Sequence, residues 1–204
     1  MPVLLLDLAG VLCRMDHPAR LARLAALCDA SPDRLDAAVW RSGLDDEFDR
    51  GAYTLAEIVG LFRREFGFRG GAEELEEAWA AGFVPDDGVL ALIDALRPGV
   101  GCSVLSDNGP VLLAAMPRLL PQVWRRLDHV MFSCDIGALK PDPRAFRYAL
   151  GVLACPAADV LFLDDRPANA AAARALGMRA EVFYDAARAA GVIRAAGLIA
   201  ETGS

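Results

Sequence analysis

Val3-Leu4-Leu5-Leu6-Asp7-Leu8-Ala9-Gly10-Val11-Leu12 opens with four unbroken apolar residues, then a carboxylate, then a glycine. An uninterrupted apolar run of this length predicts a strand buried on both faces, as in a parallel sheet covered by helices. The pattern returns at Cys102–Leu105, Val130–Phe132 and Val160–Leu163, with Ala180–Phe183 as a fifth candidate. Helical patterns separate the later runs, at about Asp87–Leu96, Pro110–Leu119, Pro143–Leu153 and Pro167–Leu176. Several begin with Pro in the first turn, where its missing N–H costs nothing. The alternation predicts an α/β fold, a Rossmann-like parallel sheet with helices on both faces.

Residues 16–82 break the alternation and contain no clear strand. Four helices are predicted there, one over Ala19–Cys28, one after the cap Ser31 and Pro32, one from Thr54, and one over Ala72–Ala81. Thr54-Leu-Ala-Glu57 has the form of a capping box. Arg69-Gly-Gly71 reads as a flexible turn. The expected organisation is therefore a core of residues 1–15 and 83–204 with a helical cap, residues 16–82, inserted after the first strand. The joints fall near Met15–Pro18 and Phe83–Gly88. Trp40, Phe48, Tyr53 and Trp79 read as core of the cap, and Glu201–Ser204 as a frayed end.

The chain has 204 residues, 55% hydrophobic and 24% charged, enough for one sizeable core with an inserted unit. Its net charge is −7 and its pI about 4.9, with no basic tract. Phosphate contacts need a basic surface, so a nucleic-acid partner is not expected. The apolar runs are strand-length, far below the roughly 20 residues of a membrane span, and Asp7 interrupts the first. Neither a membrane partner nor a signal peptide is expected. The five cysteines lack CxxC spacing. Cys102 and Cys134 fall in strand-like segments and read as buried thiols, which suits a reducing cytoplasm. Nothing in the sequence specifies an oligomeric state.

Each core strand runs into polar residues: Asp7, then Ser106-Asp107-Asn108-Gly109, then Asp164-Asp165. Ligands of open parallel sheets bind at the carboxyl ends of the strands, so these groups can converge. Four acids at three strand ends repel one another and call for a cation, and their hard oxygens suit Mg²⁺. Lys140, in Leu139-Lys-Pro-Asp142, brings a positive charge in the loop before a helix.

The order of these motifs resembles the haloacid dehalogenase (HAD) superfamily, in particular its phosphatase-like members with a helical cap. The strand ending in Asp7, Ser106 at a strand end, Lys140-Pro141, and Phe162-Leu-Asp-Asp165 through Leu176-Gly-Met178 follow the family's four motifs. Phe162–Met178 and Thr54–Phe66 look similar to sugar-phosphate phosphatases and to the phosphatase domain fused to mammalian epoxide hydrolases. The resemblance implies that Asp7 is a nucleophile forming an aspartyl-phosphate, and that Mg²⁺ lies between Asp7, Asp165 and the Ala9 carbonyl. It implies that Asn169 supports that site, that Lys140 neutralises charge, and that Asp164 orients Lys140. Ser106, Asp107 and Asn108 would meet the phosphate, and Gly10 would allow a tight turn. The implied activity is Mg²⁺-dependent phosphomonoester hydrolysis of a small phosphorylated metabolite, such as a sugar phosphate.

Two positions depart from the family. Ala9 stands where an Asp normally serves as acid and base, help worth roughly 10²–10⁴-fold. One reading is that another acid replaces it, with Asp16 and His17 as candidates. The substrate could instead carry a good leaving group, the protein could be a weakened or repurposed binder, or the chemistry could be dehalogenation of a 2-haloacid. Asp107 stands where relatives often have Asn; a carboxylate beside phosphate is unfavourable unless it points away or is paired.

Overall fold

In the computed structural model, which describes residues 1–200, Val3–Leu6 forms β1 and all four of its side chains are buried. A short β2 (Cys13–Met15) follows, and then five helices, α1 (His17–Leu27), α2 (Pro32–Val39), α3 (Leu44–Asp49), α4 (Leu55–Phe66) and α5 (Ala72–Ala80). The chain returns through β3 (Phe83–Pro85), α6 (Asp87–Asp94), β4 (Gly101–Ser106), α7 (Pro110–Leu119), α8 (Pro121–Trp124) and β5 (His129–Phe132). It ends with α9 (Ser133–Ile136), α10 (Pro143–Leu153), β6 (Val160–Asp164), α11 (Pro167–Ala175), β7 (Arg179–Val182) and α12 (Ala186–Ala195). The expected end, Glu201–Ser204, lies outside the described residues.

The main sheet has the order β5-β4-β1-β6-β7, and every pairing in it is parallel. β1 is the central strand, which is why its sequence is apolar throughout rather than alternating. Its neighbours β4 and β6 are likewise buried at every residue, and along each strand successive side chains point to opposite layers. Leu5, Leu105 and Phe162 pack with Phe146 and Ala149 of α10 and Ala170 and Ala173 of α11. Leu4, Leu6, Val104 and Leu163 pack on the opposite side with Leu112 of α7, Ile93 of α6 and Ile193 of α12. This is the predicted Rossmann-like parallel sheet with helices on both faces.

The five helices between β2 and β3 share the second of these cores. Leu24, Leu35, Phe48, Ile58, Phe62 and Leu75 are all fully or almost fully buried in it. Ser31 caps α2 by accepting the Arg34 N–H at 3.2 Å. Thr54 and Glu57 close the capping box on α4, with the Thr54 N–H donating to Glu57 Oε2 at 2.8 Å. Caps of this kind stabilise a helix by about 1 kcal/mol. Arg118 of α7 reaches Glu76 at 3.2 Å and Glu77 at 3.0 Å on α5, tying the inserted helices to the sheet layer.

Several elements were not expected. β2 and β3 form an antiparallel ribbon, with Met15 opposite Phe83. The Asp16 N–H donating to the Gly82 carbonyl at 2.8 Å extends this pairing at the joint. The helices α3, α8, α9 and α12 were also missed. Cys134 lies in α9, not in a strand, because β5 stops at Phe132. Among the described residues no helix is long and apolar enough to cross a membrane.

Candidate active site

Register brings the acids together. Leu6 of β1 is paired with Leu163 of β6, so the next residues, Asp7 and Asp164, lie side by side where the strands end. The Asp7 N–H donates to the Leu163 carbonyl at 2.9 Å. Lys140, from the loop before α10, sits between the two carboxylates. Its Nζ lies 2.9 Å from Asp7 Oδ1 and 2.8 Å from Asp164 Oδ2, and donates to the Leu105 carbonyl at 2.9 Å. Lys140 is the chain's one lysine, and its charge is buried with both partners.

Asp164 is held from every side. It accepts the Arg166 N–H at 2.8 Å, and Asn169 Nδ2 approaches its two oxygens at 2.9 and 3.0 Å. Pro167 at the start of α11 aims that helix so that Asn169, in its first turn, points back at the strand end. Burial would push the Lys140 ammonium down, but Asp7, Asp164 and Asp107 outweigh it and raise it. Asp7 is pushed up to about 6, first by burial, with Lys140 opposing and Asp164 adding.

A carboxylate oxygen from each of Asp7, Asp164 and Asp165 lies within 4.8 Å of the others. Asp164 has its oxygens committed to Lys140, Asn169 and Arg166. Asp165 makes no side-chain hydrogen bond among the described residues, so Asp7 and Asp165 are the acids free to meet a cation. Among the described residues the Ala9 carbonyl is a third oxygen without a donor, because its bridge to Cys13 uses the Leu8 carbonyl and Gly10 N–H instead. These hard oxygens fit a divalent ion such as Mg²⁺. Gly10 completes the arrangement. Its φ is +89°, and a Cβ there would stand 2.5 Å from Asp165 Oδ2.

On the other side of β1, Ser106 is buried at the end of β4 and accepts from Asn108 Nδ2 at 2.9 Å. The Asn108 N–H donates to Ser133 Oγ at 3.0 Å, so Ser133 at the start of α9 fixes this loop. Ser133 was missed because a serine after a strand carries no distinctive signal. Asp107 is paired, as its position requires. Its Oδ1 accepts the Lys140 backbone N–H at 2.9 Å. Burial nevertheless raises its carboxyl.

A cleft of about 340 Å³ opens above these loops. Its walls include Ala9, Asp107, Asn108 and Arg166 from the sheet side and Arg20, Trp40, Asp45, Asp49 and Trp79 from the inserted helices. Trp40 and Trp79, expected in the core, pack on each other with ring centroids 5.1 Å apart and also line the cleft. Phe48 is core as expected, and Tyr53 packs on it. Of the two expected replacement acids, Asp16 caps α1 by accepting the Ala19 N–H at 2.9 Å. His17 lines the cleft but is bonded to Asp36 Oδ1 at 2.8 Å. The cleft acids Asp45 and Asp49 were not singled out, because α3 is too short to show a helical period.

Comparison with known proteins agrees with this architecture. Residues 1–177 match the haloacid dehalogenase-like hydrolase family. Phosphatase MT3486 of Mycobacterium tuberculosis is 32% identical over 148 residues, 69% of this chain and 67% of that protein. Drimenol cyclase drtB of Aspergillus calidoustus is 41% identical over 61 residues, 30% of this chain, and the chain spans only 12% of its length. A HAD family enzyme of Bacteroides thetaiotaomicron, bt-2542, solved with magnesium and inorganic phosphate, superposes with a TM-score of 0.76 at 20% identity. That superposition covers 90% of this chain and 94% of the other.

Proposed function

We propose that this chain, which belongs to the haloacid dehalogenase-like hydrolase family, is a Mg²⁺-dependent phosphomonoesterase acting on a small phosphorylated metabolite. Residues 1–15 and 83–204 are its catalytic core and residues 16–82 its cap. The observation that carries this reading is the buried Lys140 ammonium seated between Asp7 and Asp164, with Asp165 beside them.

In the reaction, an Asp7 carboxylate oxygen bonds to phosphorus while the ester oxygen departs, giving an aspartyl-phosphate that water then hydrolyses. Lys140 offsets the charge that accumulates between Asp7 and the phosphoryl group. Asp164 and Asn169 fix the position of Lys140. Ser106 and the backbone around Asp107 and Asn108 receive phosphoryl oxygens. Asp7, Asp165 and the Ala9 carbonyl would hold Mg²⁺, which when bound stabilises charge on the transferring group. The magnesium and phosphate bound by bt-2542, and the phosphatase relative, support this assignment. The cleft volume suits a substrate of sugar-phosphate size, about the lower range of small-ligand sites. The five free cysteines are consistent with a reducing, cytoplasmic setting.

Phosphate release from p-nitrophenyl phosphate tests the reading. EDTA is expected to abolish it and added Mg²⁺ to restore it, while Asp7→Asn removes it irrespective of metal. A second reading, a weakened HAD-fold binder, draws on Ala9 and Asp107. It would be favoured by Mg²⁺ binding with no turnover across a broad panel of phosphate esters. Metal-independent halide release from 2-haloacids would instead identify a dehalogenase.

A further inference from the structure

We infer that Asp49, the last residue of α3, is the acid that protonates the leaving oxygen in place of the carboxyl missing at position 9. This rests on the phosphatase reading. Asp49 and Ala9 line one cleft, from opposite walls, together with Asp107 and Asn108. The end of α3 is pressed onto the sheet-side loops. A Cβ at Gly109 would lie 3.2 Å from Asp49 Oδ1, and one at Gly51 would lie 2.1 Å from the Cys134 carbonyl oxygen. Two small residues therefore let this corner of the inserted helices approach the phosphate loop.

Asp49 is partly buried, and its carboxyl makes no hydrogen bond or ion pair among the described residues. Asp16 and His17 are occupied, as described above. Asp45 shares the cleft, and burial and Asp46 raise its carboxyl as well, but it lies in the first turn of α3, where backbone N–H groups oppose that rise. Asp49 lies at the opposite end, where the dipole disfavours charge. The charged and titratable groups around it are Asp45 and Asp46 on α3, Arg20 on α1, Asp107 after β4 and Cys134 on α9. His17 of α1 and Arg166 of the sheet side line the same cleft. Burial first, then the neighbouring acids, push the Asp49 carboxyl up to about 8 against the pull of Arg20. At neutral pH it holds a proton to give.

In the first half-reaction, Asp7 bonds phosphorus, the ester P–O bond breaks, and the departing oxygen takes the Asp49 proton. In the second, water gives a proton to the Asp49 carboxylate as its oxygen bonds phosphorus. The Asp7–phosphorus bond breaks, inorganic phosphate leaves, and both carboxyls return to their starting states.

The test compares Asp49→Asn with wild type on n-propyl phosphate and on p-nitrophenyl phosphate, whose leaving group needs little acid. Glu47→Gln, exposed on the same helix, is the control for local disturbance. Asp49→Asn is expected to lose about 10²–10³-fold in kcat on the alkyl ester, with a loss at least tenfold smaller on the aryl ester. Ala9→Asp added to Asp49→Asn should recover most of the alkyl activity, and wild-type alkyl turnover should fall as pH rises through about 8. Equal losses on both esters, or an alkyl loss under threefold, would overturn the assignment while leaving the phosphatase reading intact. Wild-type protein that hydrolyses neither ester would defeat both.

Discussion

The floor and the roof of the cleft handle buried charge in opposite ways. On the floor, Asp7, Lys140, Asp164 and Asn169 form a closed network in which nearly every polar atom has a partner within 3.0 Å. On the roof, among the described residues, the Asp49 carboxyl has no partner and Arg20 leaves its Nε unbonded, lying instead over the rings of Trp40, Trp79 and Phe83. The floor therefore keeps its charges at neutral pH, whereas the roof responds to burial by moving a proton. Fixed charge suits a nucleophile and its counter-ion; a movable proton suits an acid.

The largest effect is expected where the floor is broken at its centre. Lys140→Met leaves two adjacent buried carboxylates uncompensated, and should cost about 3–5 kcal/mol in urea unfolding as well as all phosphate release. A cost below about 1 kcal/mol would mean that the floor is not held by this ion pair. Asn169→Ala removes both Nδ2 contacts to Asp164. Hydrogen bonds to a charged group are worth about 1.5–3 kcal/mol, so a loss of about 2–3 kcal/mol is expected, with reduced turnover but the same pH profile.

Gly10→Ala probes the seam between the acids rather than the ion pair. The added Cβ must adopt φ +89° and displace Asp165, whose oxygen would be 2.5 Å away. Left-handed strain and that displacement together should cost about 2 kcal/mol, and isothermal titration should show weakened Mg²⁺ binding. A variant that binds Mg²⁺ as tightly as wild type would remove Asp165 from the metal site.

The floor was legible in the sequence and the roof was not, for a physical reason. Floor residues sit at the ends of continuous apolar strands, so parallel register alone brings Asp7 beside Asp164 once β1 and β6 are recognised as neighbours. Lys140, Ser106 and Asn169 are each anchored next to a strand or a Pro-led helix that the pattern also reveals. The roof depends on the packing of α3, a six-residue helix with three acids in its first turn. Such a segment shows no apolar period, and its docking depends on Gly51 just beyond its end and on Gly109, far away in the chain. The β2–β3 ribbon escaped notice likewise, since three-residue strands that pair across the whole insertion leave no local signature.

The smallest expected effect is the one that separates floor from roof most cleanly. The Asp49 carboxyl stands at about 8 in the folded chain, above its unfolded value of 3.8. A raised value means the folded state binds the proton more tightly, so its stabilising contribution is complete below about pH 4 and is lost as pH rises through about 8. Asparagine carries no such proton. Asp49→Asn should therefore gain on wild type by about 1–2 kcal/mol between pH 5 and pH 9, after allowance for water at a partly exposed group. For a chain of this size that is a rise of about 2–8 °C in Tm relative to wild type at the alkaline end. The other acids remain in both proteins and largely cancel in the difference. Parallel Tm profiles across that range would place the Asp49 carboxyl in ordinary, charged form, and the roof would then hold its charge as firmly as the floor.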